Sequence, residues 1–312
     1  MIARARGLLV CACVACATLA AQQTPRFRLE VDAVQVDVSV MRGSRPVAGL
    51  TAANFELRDS GVVQQVEAVT LEDVPLHLVL ALDTSGSVKG ARLAELQDAT
   101  VAAIESLDDD DRASLLTFSQ SAALYADASA DLDGVARAMT AAVAGGWTSL
   151  HDALLHALVL RHGDTRRALV LVFSDGMDTA SWLHADTVVE DARRSDVIVY
   201  GVMPRPTWDA GSMTSDQRLR QRTARMRGFA TDPVTFREFV LFAVTDETGG
   251  ELFFTDPGRD LRAVFLGIVK EFKSRYLLTY TPEGVPPDGW HPIEVKLKGA
   301  RGDVKARRGY LR

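Results

Sequence analysis

Residues 76–87 read Leu-His-Leu-Val-Leu-Ala-Leu-Asp-Thr-Ser-Gly-Ser, and this stretch decides the fold. A short apolar run, Leu76 to Leu82, stops at Asp83, which suits a strand buried on both faces of a parallel sheet. Behind it Asp83, Ser85 and Ser87 stand at alternate positions, so an extended chain points their oxygens to one side. Hard oxygen ligands gathered where a parallel strand ends suit a small divalent cation such as Mg²⁺. A plainer reading competes: a strand, a Ser-Gly turn, and Ser87 as N-cap of the next helix.

Outward from this stretch, residues 75–273 alternate strand and helix patterns, which implies an α/β domain with a Rossmann-like, mainly parallel sheet flanked by helices. Leu93, Leu96, Thr100, Ile104 and Leu107 recur at helical spacing. Strands are expected at 113–118, 168–173, 197–202 and 251–255, and helices at 131–144, 149–161, 234–246 and 259–273. Asp108 to Asp111 lack the spacing and glycine of a calcium loop and read as a solvated turn. Residues 204–233 break the rhythm with six arginines, an insertion read as a loop or a partner-binding surface.

The flanks are β-rich. Val34, Val36, Val38 and Val40 alternate with polar residues, as in a half-buried antiparallel strand. Residues 43–49 read as a turn, and 54–58 and 62–70 as strands around Asp59-Ser60-Gly61. Tyr276, Leu278 and Tyr280 alternate, as do Ile293, Val295 and Leu297. Segments 27–74 and 275–312 are therefore expected to form one small β-sandwich-like module. Arg301-Gly302-Asp303 reads as a hairpin turn and not as a recognition tripeptide, and the six histidines show no ligand spacing beyond His151 and His156, five apart on a helix.

At 312 residues, one large and one small domain is the expected organisation. A net charge of −6 argues against nucleic acid as a partner. Arg4 and Arg6 precede an apolar stretch ending in small residues near Ala21, so residues 1–21 read as a secretory signal and the protein as exported, periplasmic or secreted. Val10-Cys11-Ala12-Cys13 raises a lipid anchor on Cys13 as the alternative. All three cysteines lie in this segment, which leaves the mature chain without disulfides or thiolate ligands. No other stretch is apolar enough for a transmembrane helix.

Three oxygen-bearing segments now stand behind apolar strands or in loops: Asp83/Ser85/Ser87, Thr148 after Gly145-Gly146-Trp147, and Asp175 before Gly176. In an open parallel sheet, such segments meet in the crevice at the carboxyl ends of the strands, where five such groups make a Mg²⁺ or Mn²⁺ site. Asp83-Thr84-Ser85-Gly86-Ser87, the later Thr148 and the later Ser174-Asp175-Gly176 resemble the metal-ion-dependent adhesion site of von Willebrand factor type A domains. The flanking patterns, V-x-V-D-V-x-V with F-E-L-R-D-S-G ahead and Y-L-L-T-Y-T-P with A-R-R-G-Y behind, resemble an acidobacterial family of exported proteins related to those domains.

The resemblance implies that Ser85 and Ser87 coordinate the ion directly, as Thr148 does in some states, while Asp83 and Asp175 act through bound water. It favours Mg²⁺ or Mn²⁺ over Ca²⁺. Trp147 departs from the family's usual Gly-Gly-Thr, which opens Ser149 as a substitute ligand for Thr148. The expected function is cation-dependent binding of a protein or glycan that presents a carboxylate, with no catalysis. Two alternatives stand: a structural part of an envelope assembly with a stabilising metal, and a metal-dependent hydrolase. Against the hydrolase, the sequence holds no G-x-S-x-G and no H-E-x-x-H. Oligomeric state is left open.

Overall fold

The computed structural model describes residues 33–70, 74–160, 166–204, 233–256 and 258–312. The expected signal segment 1–21, with its cysteines, and the Arg-rich insertion beyond Pro204 lie outside these residues.

Strand β1 (Val34–Arg42) buries Val36, Val38 and Val40 at alternate positions. A reversal at Gly43 returns the chain as β2 (Arg45–Pro46), so the expected turn 43–49 contains a short strand paired to β1. Strands β3 (Phe55–Asp59) and β4 (Val62–Gln64) form a hairpin whose two loop residues, Ser60 and Gly61, have φ of 48° and 83°. Two positive φ values give the turn whose twist matches paired strands. The single strand expected over 62–70 is instead two, because β5 (Ala68–Thr70) joins a different sheet. The break falls where the Gln64 amide exchanges hydrogen bonds with the Glu283 backbone, at 3.0 and 2.8 Å.

The α/β part begins with β6 (Leu76–Asp83), buried at every position. A 3-10 turn at Gly86–Val88 follows, and α1 (Ala91–Glu105) starts from Gly90. Ser87 is therefore not the helix cap of the plainer reading. Strand β7 (Arg112–Phe118) is reached through Asp108–Asp111, which is solvated only in part. Asp111 is buried: it accepts from Leu76 N at 2.7 Å and Asp108 N at 2.8 Å, and binds Lys273 Nζ at 2.7 Å. Strand β8 (Ala122–Ser129) has no counterpart in the sequence reading. It is an edge strand of small residues with Leu124 and Tyr125 exposed, so burial imposes no alternation on its sequence.

Helix α2 (Leu132–Thr140) is capped by Asp131, which accepts from Gly134 N at 2.9 Å. Then come α3 (Leu150–Val159), β9 (Arg167–Phe173), α4 (Ala185–Arg194) and β10 (Ile198–Pro204). Helix α4 also escapes the sequence reading, because its inward face is narrow: only Val188 and Ala192 are buried. Helix α5 (Pro233–Thr248), β11 (Leu252–Thr255) and α6 (Leu261–Lys273) complete the α/β part. The chain ends in β12 (Tyr276–Tyr280), β13 (Trp290–Leu297), β14 (Asp303–Lys305) and β15 (Gly309–Leu311). Among the described residues no helix is long and apolar enough to cross a membrane.

The main sheet runs β11-β10-β9-β6-β7-β8, parallel throughout except for β8. Alternate residues of its central strands serve two cores. Leu78, Leu80, Leu82, Leu171 and Phe173 pack under α1, α2 and α6, and Val79, Ala81, Val170 and Val172 pack under α3, α4 and α5. The chain moves outward from β6 to β7 and β8, then returns to β9 on the other side of β6. That reversal opens a crevice at the carboxyl ends of β6 and β9.

Two antiparallel sheets, β14-β1-β12-β5 with β2 on β1, and β15-β13-β3-β4, share a core of Val36, Val38, Phe55, Leu57, Tyr276 and Leu278. The polar face of β1 is exposed at Gln35 but paired farther along the strand. Asp37 pairs with Arg167 of β9 and Ser39 hydrogen-bonds Glu271 of α6. Beside them Arg275 is wholly buried and donates to Tyr200 Oη at 2.8 Å, the Gly249 carbonyl at 2.7 Å and Glu271 at 3.3 Å.

Candidate metal centre

Asp83 is the last residue of β6, and the crevice beside that strand places its carboxylate among the loops that leave β9 and precede α3. Its Oδ1 accepts from Ser85 N at 2.8 Å, a local turn that aspartate makes readily. Its Oδ2 accepts from Ser174 Oγ at 2.9 Å. Ser85 Oγ lies 3.1 Å from Ser87 Oγ. Thr84 faces the other way and binds the Phe118 carbonyl of β7 through its amide (2.8 Å) and hydroxyl (3.2 Å). The alternation read from the sequence is thus kept for Asp83 and Ser85, and the 3-10 turn brings Ser87 beside them.

Thr148 arrives on a loop tied to this turn. Gly145 N donates to the Thr84 carbonyl at 2.8 Å, and Gly86 N donates to the Gly146 carbonyl at 3.1 Å. Gly146 has φ of 85°, a left-handed conformation that favours glycine and lets its carbonyl turn toward Gly86. Trp147 is exposed and Thr148 buried. Ser149 is committed elsewhere, its hydroxyl donating to the Ser119 carbonyl at 2.9 Å. Asp175 is half-buried, and its Oδ1 accepts from Met177 N at 3.0 Å.

Sequence reasoning missed Ser174 as the residue that binds Asp83 to the end of β9. Its only signal was the serine of Ser174-Asp175-Gly176. It also missed Asp178 and Thr179. Thr179 Oγ1 accepts from Thr148 N at 2.9 Å, and Asp178 accepts from His151 N at 3.2 Å, so the loop after β9 clasps the start of α3.

Asp83 is wholly buried. Burial pushes its carboxyl above the ordinary carboxylate range and the nearby Asp175 charge pushes the same way, while bonds from Ser85 and Ser174 oppose them. A cation would offset both unfavourable terms. The donors are oxygens alone, two carboxylates and three hydroxyls. Among the described residues no cluster of three or more His, Cys, Asp or Glu could form a conventional cage. Such an oxygen-only, hydroxyl-rich set is of the kind that suits a hard ion that keeps part of its water.

Comparison with known proteins agrees with this fold. Residues 78–177 match the family model of the von Willebrand factor type A domain. A von Willebrand factor type A protein from Catenulispora acidiphila superposes with a TM-score of 0.50 at 12% identity, covering 87% of this chain and 75% of that one. Proximal thread matrix protein 1 from the mussel byssus, in a structure with a zinc-occupied MIDAS motif, also gives 0.50, at 11% identity over 69% of this chain and 49% of that one. At such identities the likeness concerns the fold. No curated protein matches the chain.

Proposed function

We propose that this chain, whose residues 78–177 match the family model of the von Willebrand factor type A domain, is an exported module that captures its partner through a divalent cation, without catalysis. The observation that carries the reading is the buried Asp83, tied at once to Ser85 and Ser174, with Ser87 and Asp175 alongside. Ser85, Ser87 and Thr148 would hold the ion through their hydroxyls, and Asp83 and Asp175 would orient its water. When bound, the ion supplies a positive coordination position open to a partner's carboxylate. The chain's own part is to hold the hydroxyls in place: Asp83 fixes the backbone of Ser85, Gly86 and Gly146 lock the two loops, and Thr179 anchors Thr148.

Mg²⁺ or Mn²⁺ suits such a hydroxyl-rich set better than Ca²⁺, which takes more oxygens. Calorimetric titration of each ion into the wild type and a Ser85→Ala/Ser87→Ala variant tests the reading. Saturable binding that the variant loses is the expected result. Equal binding by both proteins, or none by the wild type, would overturn it.

A further inference from the structure

The two segments that carry the hydroxyls of the candidate metal centre hang from one place, the end of β7. The Phe118 carbonyl accepts from Thr84 twice, from its amide at 2.8 Å and its hydroxyl at 3.2 Å. The next carbonyl, that of Ser119, accepts twice from Ser149, from the amide at 2.8 Å and the hydroxyl at 2.9 Å. Thr84 stands between Asp83 and Ser85, and Ser149 stands next to Thr148. Both anchoring residues are buried. Each directs an amide and a hydroxyl to a single carbonyl, and each adjoins a candidate ligand.

The same backbone is held on its other sides. The Thr84 carbonyl accepts from Gly145 N at 2.8 Å, and Ser85 N donates to Asp83 Oδ1 at 2.8 Å. Thr148 N donates to Thr179 Oγ1 at 2.9 Å, and the Thr148 carbonyl accepts from Thr179 N and Ala180 N at 2.8 and 3.0 Å. An amide bond alone lets a peptide swing about its N–H···O axis. A hydroxyl on the same carbonyl adds a second point of attachment and opposes that motion.

Such precision matters most for hydroxyl ligands. A carboxylate is drawn to a cation by its charge over several ångströms, whereas a neutral hydroxyl gains only when its oxygen sits at bonding distance. Mg²⁺ demands near-ideal octahedral geometry at about 2.0–2.1 Å, while Ca²⁺ accepts looser arrangements at about 2.3–2.6 Å. We propose that Thr84 and Ser149 are positioning residues. They do not hold the ion; they fix Ser85 and Thr148 against the end of β7 at the spacing a small ion needs. The proposal rests on the cation-dependent reading of the site.

The test is calorimetric titration of Mg²⁺ and of Ca²⁺, with the melting temperature of each metal-free protein as a second readout. Thr84→Val and Ser149→Ala should each weaken Mg²⁺ binding by about tenfold and Ca²⁺ binding by less, and Thr84→Ser should restore most of the loss. Thr100→Val is the control, since it deletes a buried hydroxyl that donates to the Leu96 carbonyl at 2.7 Å within α1. It should lower the metal-free melting temperature about as much as the other two and leave both ion affinities unchanged. Thr148→Ala should lose at least as much Mg²⁺ affinity as Ser149→Ala; a smaller loss would make Ser149 itself the ligand and overturn its part in the proposal. Wild-type affinity in Thr84→Val, an equal loss for both ions, no recovery in Thr84→Ser, or an equal loss in Thr100→Val would overturn the proposal and leave the metal centre standing. Absence of saturable binding by the wild type would refute the metal centre itself, and the proposal with it.

Discussion

Ser174 shows how much can hang on one hydroxyl. It is buried, donates to Asp83 Oδ2, and accepts from Gly176 N at 3.1 Å, so it joins the ends of β6 and β9. Ser174→Ala leaves a buried carboxylate oxygen short of a donor, and urea denaturation should show a loss of about 1–3 kcal/mol. A second buried acid lies in the antiparallel sheets. Asp59 receives Tyr280 and Tyr310 hydroxyls, each at 2.8 Å, and pairs with His291 Nδ1 at 2.9 Å. Burial alone would raise its carboxyl, but the bonds from His291, Tyr280, Tyr310 and Ser60 outweigh it and hold the value below the ordinary range. Its stabilisation is therefore whole above about pH 4 and is lost as pH falls through the lower folded-state value. Burial first, then the Asp59 bond, pushes Tyr310 up to about 12 and moves Tyr280 in the same direction. The phenols' contribution is thus whole below about pH 10 and fades as pH rises beyond it. Urea midpoints followed against pH should show a flatter acid limb in Asp59→Asn and a flatter alkaline limb in Tyr310→Phe. Single-residue roles of this kind were the least legible in the sequence. Asp83, Ser85 and Ser87 stood out because a strand ended in them, whereas Asp59 and Ser174 owe their roles to partners distant in the chain.

Among the elements, β6 is decisive because both of its faces are cores. Leu80→Ala should cost about 2–5 kcal/mol by chemical denaturation, since its neighbours under α1 and α6 are too well packed to collapse into the gap. Leu124→Ser, on the exposed edge strand β8, should stay within about 0.5 kcal/mol of wild type. The same contrast explains what could be read in advance. Strands β6, β9 and β10 announced themselves because burial on two faces demands unbroken apolar runs. Strand β8 and helix α4 did not, for they bury little and burial is what writes a pattern into sequence. The split of 62–70 between two sheets depends on where Gln64 finds the Glu283 backbone, which no local pattern records.

Across the whole molecule, the alternation of Asp37 and Ser39 with valines was read correctly as a two-faced strand, yet these two side chains meet Arg167 and Glu271, while Gln35 on the same face is exposed. Sequence pattern distinguishes polar from apolar faces; it does not say whether a polar face is solvated or paired. Arg275 is the centre of this seam. Arg275→Ala removes its bonds to Tyr200, Gly249 and Glu271 and strands the Glu271 charge, at an expected cost of about 3–5 kcal/mol. Scanning calorimetry of the wild type should give one transition for the sheets on both sides of the seam; two separate transitions would show that it does not couple them. Asp111 has a further consequence, for the order of events during synthesis. Strand β1 emerges early, and only its far end can pair at once, with β2; the rest waits for β12, where Val34 meets Tyr280, until nearly the whole chain exists. Closing so long a loop is slow, and an unpaired strand is open to wrong partners meanwhile. The Asp111 carboxylate holds Leu76 by one oxygen and Lys273 by the other, the first turn into the α/β part and the last turn out of it. Once that part has folded, its two ends lie at a single side chain, and a search across most of the chain becomes a local one.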